Sequence, residues 1–148
     1  MKNYEIFLIR QGAALSAKYY PNVGKVYIAP GQSELANSIY RHHTPYIINN
    51  LREYDFNESR AASDSPIFTG RCVKGLEEIF ADMCRTGVYK SAVIASMGVI
   101  VTLLAGCGLP KAAPSEFEIE PGEAWLISMS TYLWQKGQVF EIIGRLTQ

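Results

Sequence analysis

The chain has 148 residues, and 14 Lys and Arg side chains balance 14 Asp and Glu, so its formal charge at pH 7 is zero. This length predicts a single domain over residues 1–148 that can bury a core. Its 48% hydrophobic and 19% charged residues are typical of a folded soluble protein and exclude an intrinsically disordered one. The absence of net charge argues against nucleic-acid and anionic-membrane partners.

The cysteines and histidines do not predict a disulfide framework or a metal site. Cys72, Cys84 and Cys107 are far apart and form no CxxC pair, which favours small buried thiols in a reducing cytoplasm. The adjacent His42 and His43 point in different directions on a helix or strand, so they cannot converge on one ion. We therefore expect neither a metal nor a cofactor.

The apolar stretches are interpreted as internal elements of the fold and not as membrane or export signals. Residues 91–109 lack charge, but glycines and small polar residues interrupt them, which predicts a buried strand followed by a helix. The first twelve residues contain Glu5 and Arg10 around a short apolar run and have no small-residue cleavage site. They predict a first strand and not a signal peptide.

Strand and helix signals alternate along the first half of the chain. Short apolar, β-branched and aromatic runs predict strands, and apolar residues three or four apart predict helices. The predicted elements are a strand at 4–9, a loop at 13–24, a strand at 25–29, a helix from Gln32 or Ser33 that ends before Pro45, a short strand at 46–48 and a polar loop at 49–66.

The second half of the chain continues the alternation and then changes to strands alone. A long helix with Val73, Leu76, Ile79, Phe80 and Met83 on one face ends at Gly87, followed by a strand at 92–95, a helix at 99–107 and antiparallel strands at 117–120, 124–129 and 139–143. This order predicts an α/β fold with three layers, in which helices cover both faces of a mostly parallel sheet.

Four segments at or beyond predicted strand ends resemble the motifs of one family. They are Arg10-Gln11-Gly12, the segment 27–33 (Tyr-Ile-Ala-Pro-Gly-Gln-Ser), Leu51-Arg52-Glu53, and the segment 95–100 (Ala-Ser-Met-Gly-Val-Ile). In this order they are similar to the Arg-His-Gly, Ser-Pro-x-x-Arg, Leu-x-Glu and Ser-His-Gly-Gly-Val-Ile segments of the histidine phosphatase superfamily. The resemblance spans roughly the whole chain and implies the phosphoglycerate mutase-like fold, with a site at the carboxyl ends of the strands.

The resemblance implies a phosphoryl-transfer site of which this sequence keeps only part. In the family, a histidine attacks phosphorus, two arginines and a second histidine bind the phosphoryl oxygens, and a glutamate protonates the leaving group. The matched positions in this chain are Arg10 for the first arginine, Gln11 for the nucleophile, Ser33 for the second arginine, Glu53 for the acid, and Ser96, or Met97 after a one-residue shift, for the second histidine. Together with Gly12, these residues form the predicted ligand-binding set.

The replacement of the nucleophile decides the functional prediction. A glutamine amide has no lone pair available for attack, so Gln11 can hydrogen-bond a phosphate oxygen but cannot become phosphorylated. We therefore predict a degenerate, non-catalytic binding or regulatory domain for a small phosphorylated or anionic ligand, with no residue assigned as catalytic. The alternative is a phosphatase or hydrolase of a small phosphorylated metabolite that uses a non-standard mechanism, such as water oriented by Glu53.

Plainer interpretations of the same residues remain open. Arg10 can be a strand-end arginine that pairs with Glu53 or with a backbone carbonyl, and we expect it to face Glu53 as a nearly neutral pair. Ser96 and Met97 can be a compact turn only. The segment between Gly12 and the second strand is much shorter than the family's, which predicts a sheet face covered by that loop or by another molecule. We expect self-association, as a homodimer, or a protein partner on that face.

Overall fold

The computed structural model describes residues 3–13, 20–54, 66–106, 117–130 and 141–146. Their strands and helices follow the predicted order, with one exception discussed below. They are β1 (Asn3–Arg10), β2 (Lys25–Ile28), α1 (Ser33–Ile39), β3 (Tyr46–Ile47), a short 3₁₀ turn (Asn49–Leu51), α2 (Pro66–Thr86), β4 (Lys90–Ala95), α3 (Met97–Gly106), β5 (Ala124–Ser130) and β6 (Glu141–Leu146).

The six strands form one mixed sheet in the order β3-β2-β4-β1-β5-β6. The pairs β1–β4, β2–β4 and β2–β3 are parallel, whereas β5 is antiparallel to both β1 and β6. The ends of β1, β2 and β4 therefore meet on one side of the sheet, here called the carboxyl edge. The side where these strands begin is called the amino edge. This arrangement confirms the predicted α/β fold.

Helices α2 and α3 cover one face of the sheet. Leu76, Ile79 and Met83 of α2 are fully buried in the cluster that this face forms, as the helical spacing predicts. Burying each such side chain stabilises the fold by roughly 1.5–3 kcal/mol. The helix ends where Gly87 adopts φ 69° and the Val88 N–H donates to the Met83 carbonyl at 3.0 Å.

The opposite face is covered by α1 together with residues that precede β2. Leu35 of α1 packs with Tyr20 and Val23 against strand residues such as Ile9 and Ile94, all of them buried. Residues 20–24, the described part of the loop before β2, thus help to cover the sheet face that a longer segment would otherwise cover. An exposed apolar sheet face, on which the expectation of self-association rested, is not present among the described residues. Self-association, or a protein partner, remains a prediction, but an exposed apolar face no longer supports it.

Residues 117–120, predicted as a strand, do not form one. The Phe117 carbonyl accepts a hydrogen bond from the Trp125 indole N–H at 2.6 Å, and the Glu120 N–H donates to the Glu123 carboxylate at 2.8 Å. The polar groups of this backbone are bonded to side chains, so they do not form a sheet ladder. The segment has an alternating apolar pattern, with Phe117 and Ile119 buried, but no neighbouring strand.

Within the described ranges, no helix has both the length and the apolar character needed to cross a membrane. Two of the three cysteines are described, and both lie on α2: Cys72 is fully buried and Cys84 partly buried. The third, Cys107, lies outside the described residues.

Candidate functional site at the carboxyl edge

The backbone brings the loops after three strands to one place. The Gln11 N–H donates to the Ala95 carbonyl at 3.0 Å, so the residue after β1 lies against the end of β4. On the other side of β4, the Ala29 N–H donates to the Ile94 carbonyl at 2.9 Å. Ligands of α/β sheets bind outside such strand ends, and three of the predicted site segments therefore meet at the carboxyl edge.

Ser96 and Met97 connect β4 to α3. The Ser96 hydroxyl accepts the Val99 N–H at 3.3 Å, as an N-cap side chain does in the first turn of a helix. The Met97 sulfur accepts the Ile119 N–H at 3.4 Å. Both residues have structural contacts here, which fits their interpretation as a compact turn.

The Arg10 guanidinium is held by a backbone carbonyl and not by Glu53. Its Nη1 donates to the Ile119 carbonyl, and its own main chain accepts the Gly122 N–H at 2.8 Å. Arg10 and Glu53 are both described, and they form no ion pair. The expected pair of Arg10 with Glu53 is therefore wrong. The partner is the Ile119 carbonyl, which belongs to a segment (117–120) to which the resemblance assigned no role.

Gln11 has an unsatisfied side-chain oxygen. Its Oε1 is buried and accepts no hydrogen bond from the residues that the structure describes. The side chain as a whole is only half-buried, and Oε1 alone of its two amide atoms is buried without a partner. A buried acceptor without a donor costs free energy, so this oxygen is a point at which a ligand can gain a hydrogen bond.

Ser33 and Glu53, both described, form no hydrogen bond with Arg10 or Gln11. Ser33 is exposed and begins α1, just beyond the carboxyl end of β2. The side chain of Glu53 is exposed, whereas its carbonyl accepts a hydrogen bond at 3.0 Å from Arg71 on α2. The structure brings Arg10 and Gln11 together with the start of α3, and it leaves the carboxylate of Glu53 directed to solvent.

Two glycines lock the loop after β1 against the turn before β5. Gly12 has φ 146°, and a Cβ there would lie 2.3 Å from the Pro121 Cβ. Gly122 has φ 85°, and a Cβ there would lie 2.1 Å from the Ala13 carbonyl oxygen. Both positions demand glycine on conformational and steric grounds. Gly12, predicted to bind ligand, has a demonstrated packing role.

Comparison with known proteins identifies the architecture. No protein-family model matches the chain, and no curated protein matches it in sequence. The phosphoglycerate mutase of Bacillus anthracis superposes with a TM-score of 0.71 and 11% identity, over 95% of this chain and 92% of its own. The chain has the phosphoglycerate mutase-like histidine phosphatase fold. The resemblance drawn from the sequence motifs is thereby confirmed at the level of fold.

Two further structures with this fold were solved with ligands. The phosphoserine phosphatase of Entamoeba histolytica, in complex with 3-phosphoglyceric acid, superposes with a TM-score of 0.62 and 11% identity, over 98% of each chain. The protein histidine phosphatase SixA, complexed with tungstate, gives 0.63 and 10%, over 97% of this chain and 96% of its own. Identities this low establish the fold, so the activity has to be argued from the site residues.

Both histidines of this phosphoglycerate mutase-like chain lie away from the site. They follow α1, which runs from the carboxyl edge back toward the amino edge. The Tyr40 hydroxyl donates to the Pro21 carbonyl at 3.2 Å, and the His43 N–H donates to the Tyr40 carbonyl at 2.8 Å. Since Pro21 lies shortly before the start of β2, this contact fixes the histidines at the amino edge. Neither imidazole can act as the nucleophile at the end of β1.

A cluster of charged side chains at the amino edge was not predicted. The Asp82 carboxylate on α2 accepts hydrogen bonds from Lys25 at 2.6 Å, from the Tyr27 hydroxyl at 2.5 Å and from Arg85. Burial raises the pKa of Asp82, but these three donors outweigh it and lower the pKa to about 2. The shared face of Lys25 and Tyr27 was a signal of proximity, but no sequence pattern showed that Asp82 lies opposite.

Proposed function

We propose that this chain is a binding domain of the phosphoglycerate mutase-like fold whose carboxyl-edge site takes a small phosphorylated or anionic ligand and does not form a phosphohistidine. The observation that carries the proposal is Gln11 at the end of β1, with both histidines at the opposite edge of the sheet. An amide cannot take a phosphoryl group through its oxygen or nitrogen at ordinary pH. The family's covalent step therefore has no group to perform it.

The environment of Arg10 supports an anionic ligand. A guanidinium has five N–H donors, and the bond to the Ile119 carbonyl uses one nitrogen of the fork. Among the described residues, no carboxylate forms an ion pair with Arg10, and the Glu123 carboxylate lies 3.9 Å from the Arg145 guanidinium. Within the part of the chain that the structure describes, the positive charge of Arg10 is therefore not cancelled by a carboxylate, and its remaining donors suit bidentate contact with phosphate or carboxylate.

The solved relatives in fold support the same class of ligand. One was crystallised with 3-phosphoglyceric acid and another with tungstate. The phosphate group of the first ligand and the tungstate ion are tetrahedral oxyanions, which the guanidinium donors of Arg10 can bind. We transfer only this ligand class to the present chain, because Ser33 lacks the charge of the arginine whose position it matches.

A catalytic alternative rests on Glu53. Its carboxylate is exposed while Arg71 holds its backbone, so it is available to orient a water molecule. Hydrolysis by water, without a nucleophilic side chain and with only one arginine, would be slow. Losing a single preorganised donor already costs about 2.7–4 kcal/mol of transition-state stabilisation. Binding is the function that the geometry favours.

The first test measures hydrolysis of a generic aryl phosphate. We expect the wild-type chain to be inactive and the triple variant Gln11→His/Ser33→Arg/Ser96→His to show turnover. Turnover by the wild type that Arg10→Ala abolishes would contradict the proposal and favour the Glu53 alternative, which Glu53→Gln then tests.

The second test measures binding by thermal shift with 3-phosphoglycerate at millimolar concentration. A ligand at 100 times its dissociation constant stabilises the fold by about 2.7 kcal/mol. We expect Arg10→Ala to lose the shift and Arg41→Ala to keep it, because Arg41 is exposed in the turn after α1 at the other edge. A panel of phosphorylated compounds that produces no shift would remove the phospho-ligand proposal.

A further inference from the structure

Resting on the proposed function, we propose that Gln11 makes the site selective for an oxyanion that itself carries a hydrogen-bond donor, namely a singly protonated phosphate or phosphomonoester. The proposal concerns specificity and not anion binding as such. It combines the unsatisfied oxygen of Gln11 with the arginine that precedes it.

The first step is the chemistry of the two neighbouring side chains. Arg10 offers only N–H donors, which any oxyanion can accept. Gln11 offers the opposite, since its buried Oε1 is an acceptor that receives no hydrogen bond within the described part of the chain. A ligand that satisfies both residues needs acceptor oxygens and at least one O–H group. Phosphate monoesters meet this requirement because their second proton dissociates with a pKa of about 6.

The second step is the fixed position of Gln11. Its N–H is bound to the Ala95 carbonyl at 3.0 Å, and the following Gly12 is locked against Pro121. The backbone of Gln11 and Gly12 is therefore held, whereas the Gln11 side chain is only half-buried. The proposal requires this side chain to turn so that a ligand reaches the oxygen. An acceptor on a fixed backbone favours the ligand that brings a donor and disfavours one that brings another lone pair.

The third step is a choice of probes in which charge and hydrogen bonding give opposite expectations. Inorganic phosphate at about pH 5.5 is mainly singly charged and carries O–H groups, whereas sulfate is doubly charged and carries none. The positive charge of Arg10 alone would favour the doubly charged ion. Selection by Gln11 favours phosphate. The order of the two affinities therefore separates the two effects at a single pH.

The experiment titrates the intact chain with phosphate and with sulfate at that pH by calorimetry, and follows the side-chain amide signal of Gln11 by NMR. We expect phosphate to bind about tenfold or more tightly than sulfate, because an unsatisfied buried acceptor costs about that factor. The Gln11 amide signal should move with phosphate. Gln11→Met, which keeps the size and removes the acceptor, should abolish the preference without unfolding the chain.

The control is Asn37→Leu, the same kind of change on the exposed face of α1, which should leave the preference intact. Equal affinities, or tighter binding of sulfate, would overturn the role of Gln11 and leave the proposed function in place, since the amide has then turned its N–H₂ toward the anion. A preference that survives in Gln11→Met would assign selectivity to another residue and overturn the inference. Binding of neither anion by the wild type would overturn the inference and contradict the proposed function as well.

Discussion

The two edges of the sheet differ in how their charged side chains are paired. At the amino edge, Asp82 receives three donors, so its single negative charge is balanced within the chain by Lys25 and Arg85. At the carboxyl edge, Arg10 has no carboxylate partner among the described residues, and Gln11 has an oxygen without a donor. Polar groups that are satisfied internally stabilise a fold, and groups left unsatisfied are available to a ligand. This difference is a reason why the carboxyl edge, and not the amino edge, is proposed as the ligand site.

The largest expected effect is a loss of stability at alkaline pH, which acts through tyrosines at the amino edge. The hydrogen bond with Cys84, followed by burial, raises the pKa of Tyr4 to about 12, and burial raises that of Tyr40 to about 12. Burial and the hydrogen bond to Asp82 raise the pKa of Tyr27 further still. A raised folded-state pKa contributes stability that is complete below the unfolded value of 10 and is lost as pH rises through the folded value.

We therefore expect a steep loss of stability between pH 10 and about pH 12, measured by urea unfolding monitored with circular dichroism. Tyr46→Phe, at an exposed tyrosine, serves as the control and should follow the same curve. A free energy of unfolding that stays constant across this range would show that these tyrosines are not held neutral by the fold.

Substitution at the centre of the amino-edge cluster should have the next largest effect. Asp82→Ala leaves the largely buried Lys25 ammonium and the Tyr27 hydroxyl without their acceptor, which we expect to cost about 2 kcal/mol at neutral pH. Glu77→Ala, at an exposed position of the same helix, should cost less than about 0.5 kcal/mol. Equal costs for both would contradict the structural role of the cluster.

The same two proteins, wild type and Asp82→Ala, can also be compared at acid pH. Because the pKa of Asp82 is lowered from 3.8 to about 2, its contribution is present above the unfolded value and lost as pH falls through the folded one. The free-energy difference between wild type and Asp82→Ala should therefore shrink between pH 4 and pH 2. Paired urea titrations across that interval measure it, and a constant difference would mean that the carboxylate is not the source.

The smallest expected effects come from the two serines that flank β4. Ser96→Ala removes the acceptor that caps α3 and should destabilise the chain by about 1 kcal/mol. Ser91, at the amino end of the same strand, is fully buried, and its hydroxyl has no hydrogen-bond partner among the described residues. Ser91→Ala should therefore be neutral or stabilise by up to about 1 kcal/mol. Chemical denaturation of both variants tests the opposite signs, and equal destabilisation would contradict them.

Sequence reasoning located most of the fold because the signals there are local. The apolar spacing of α2, the glycine at its end and the β-branched run of β4 depend only on neighbours in the chain. The same reasoning failed for residues 117–120, whose alternation resembles a strand. Their backbone bonds go to Arg10 and Trp125, and the first of these partners is 109 positions away. Side-chain contacts over such separations have no periodic signature.

The candidate site was predicted in composition but not in its contacts. The resemblance selected Arg10, Gln11 and Ser96, and the parallel pairing of β1 with β4 brings their segments together. It also suggested a partner for Arg10 that the structure replaces with the Ile119 carbonyl. The unsatisfied state of Gln11 could not be predicted, because it depends on what lies within hydrogen-bond distance of a single oxygen.

The two glycines at positions 12 and 122 show that a residue of a motif can be required by packing and not by chemistry. Gly12 belongs to an Arg-x-Gly triplet that resembles a catalytic motif, yet contact with Pro121 and its own backbone angle are enough to require it. Selection for folding alone would preserve this glycine after the chemistry beside it had disappeared. A sequence search that weights the triplet by its glycine therefore detects this packing, whereas the residue in the middle of the triplet is the position on which the proposed loss of catalysis rests.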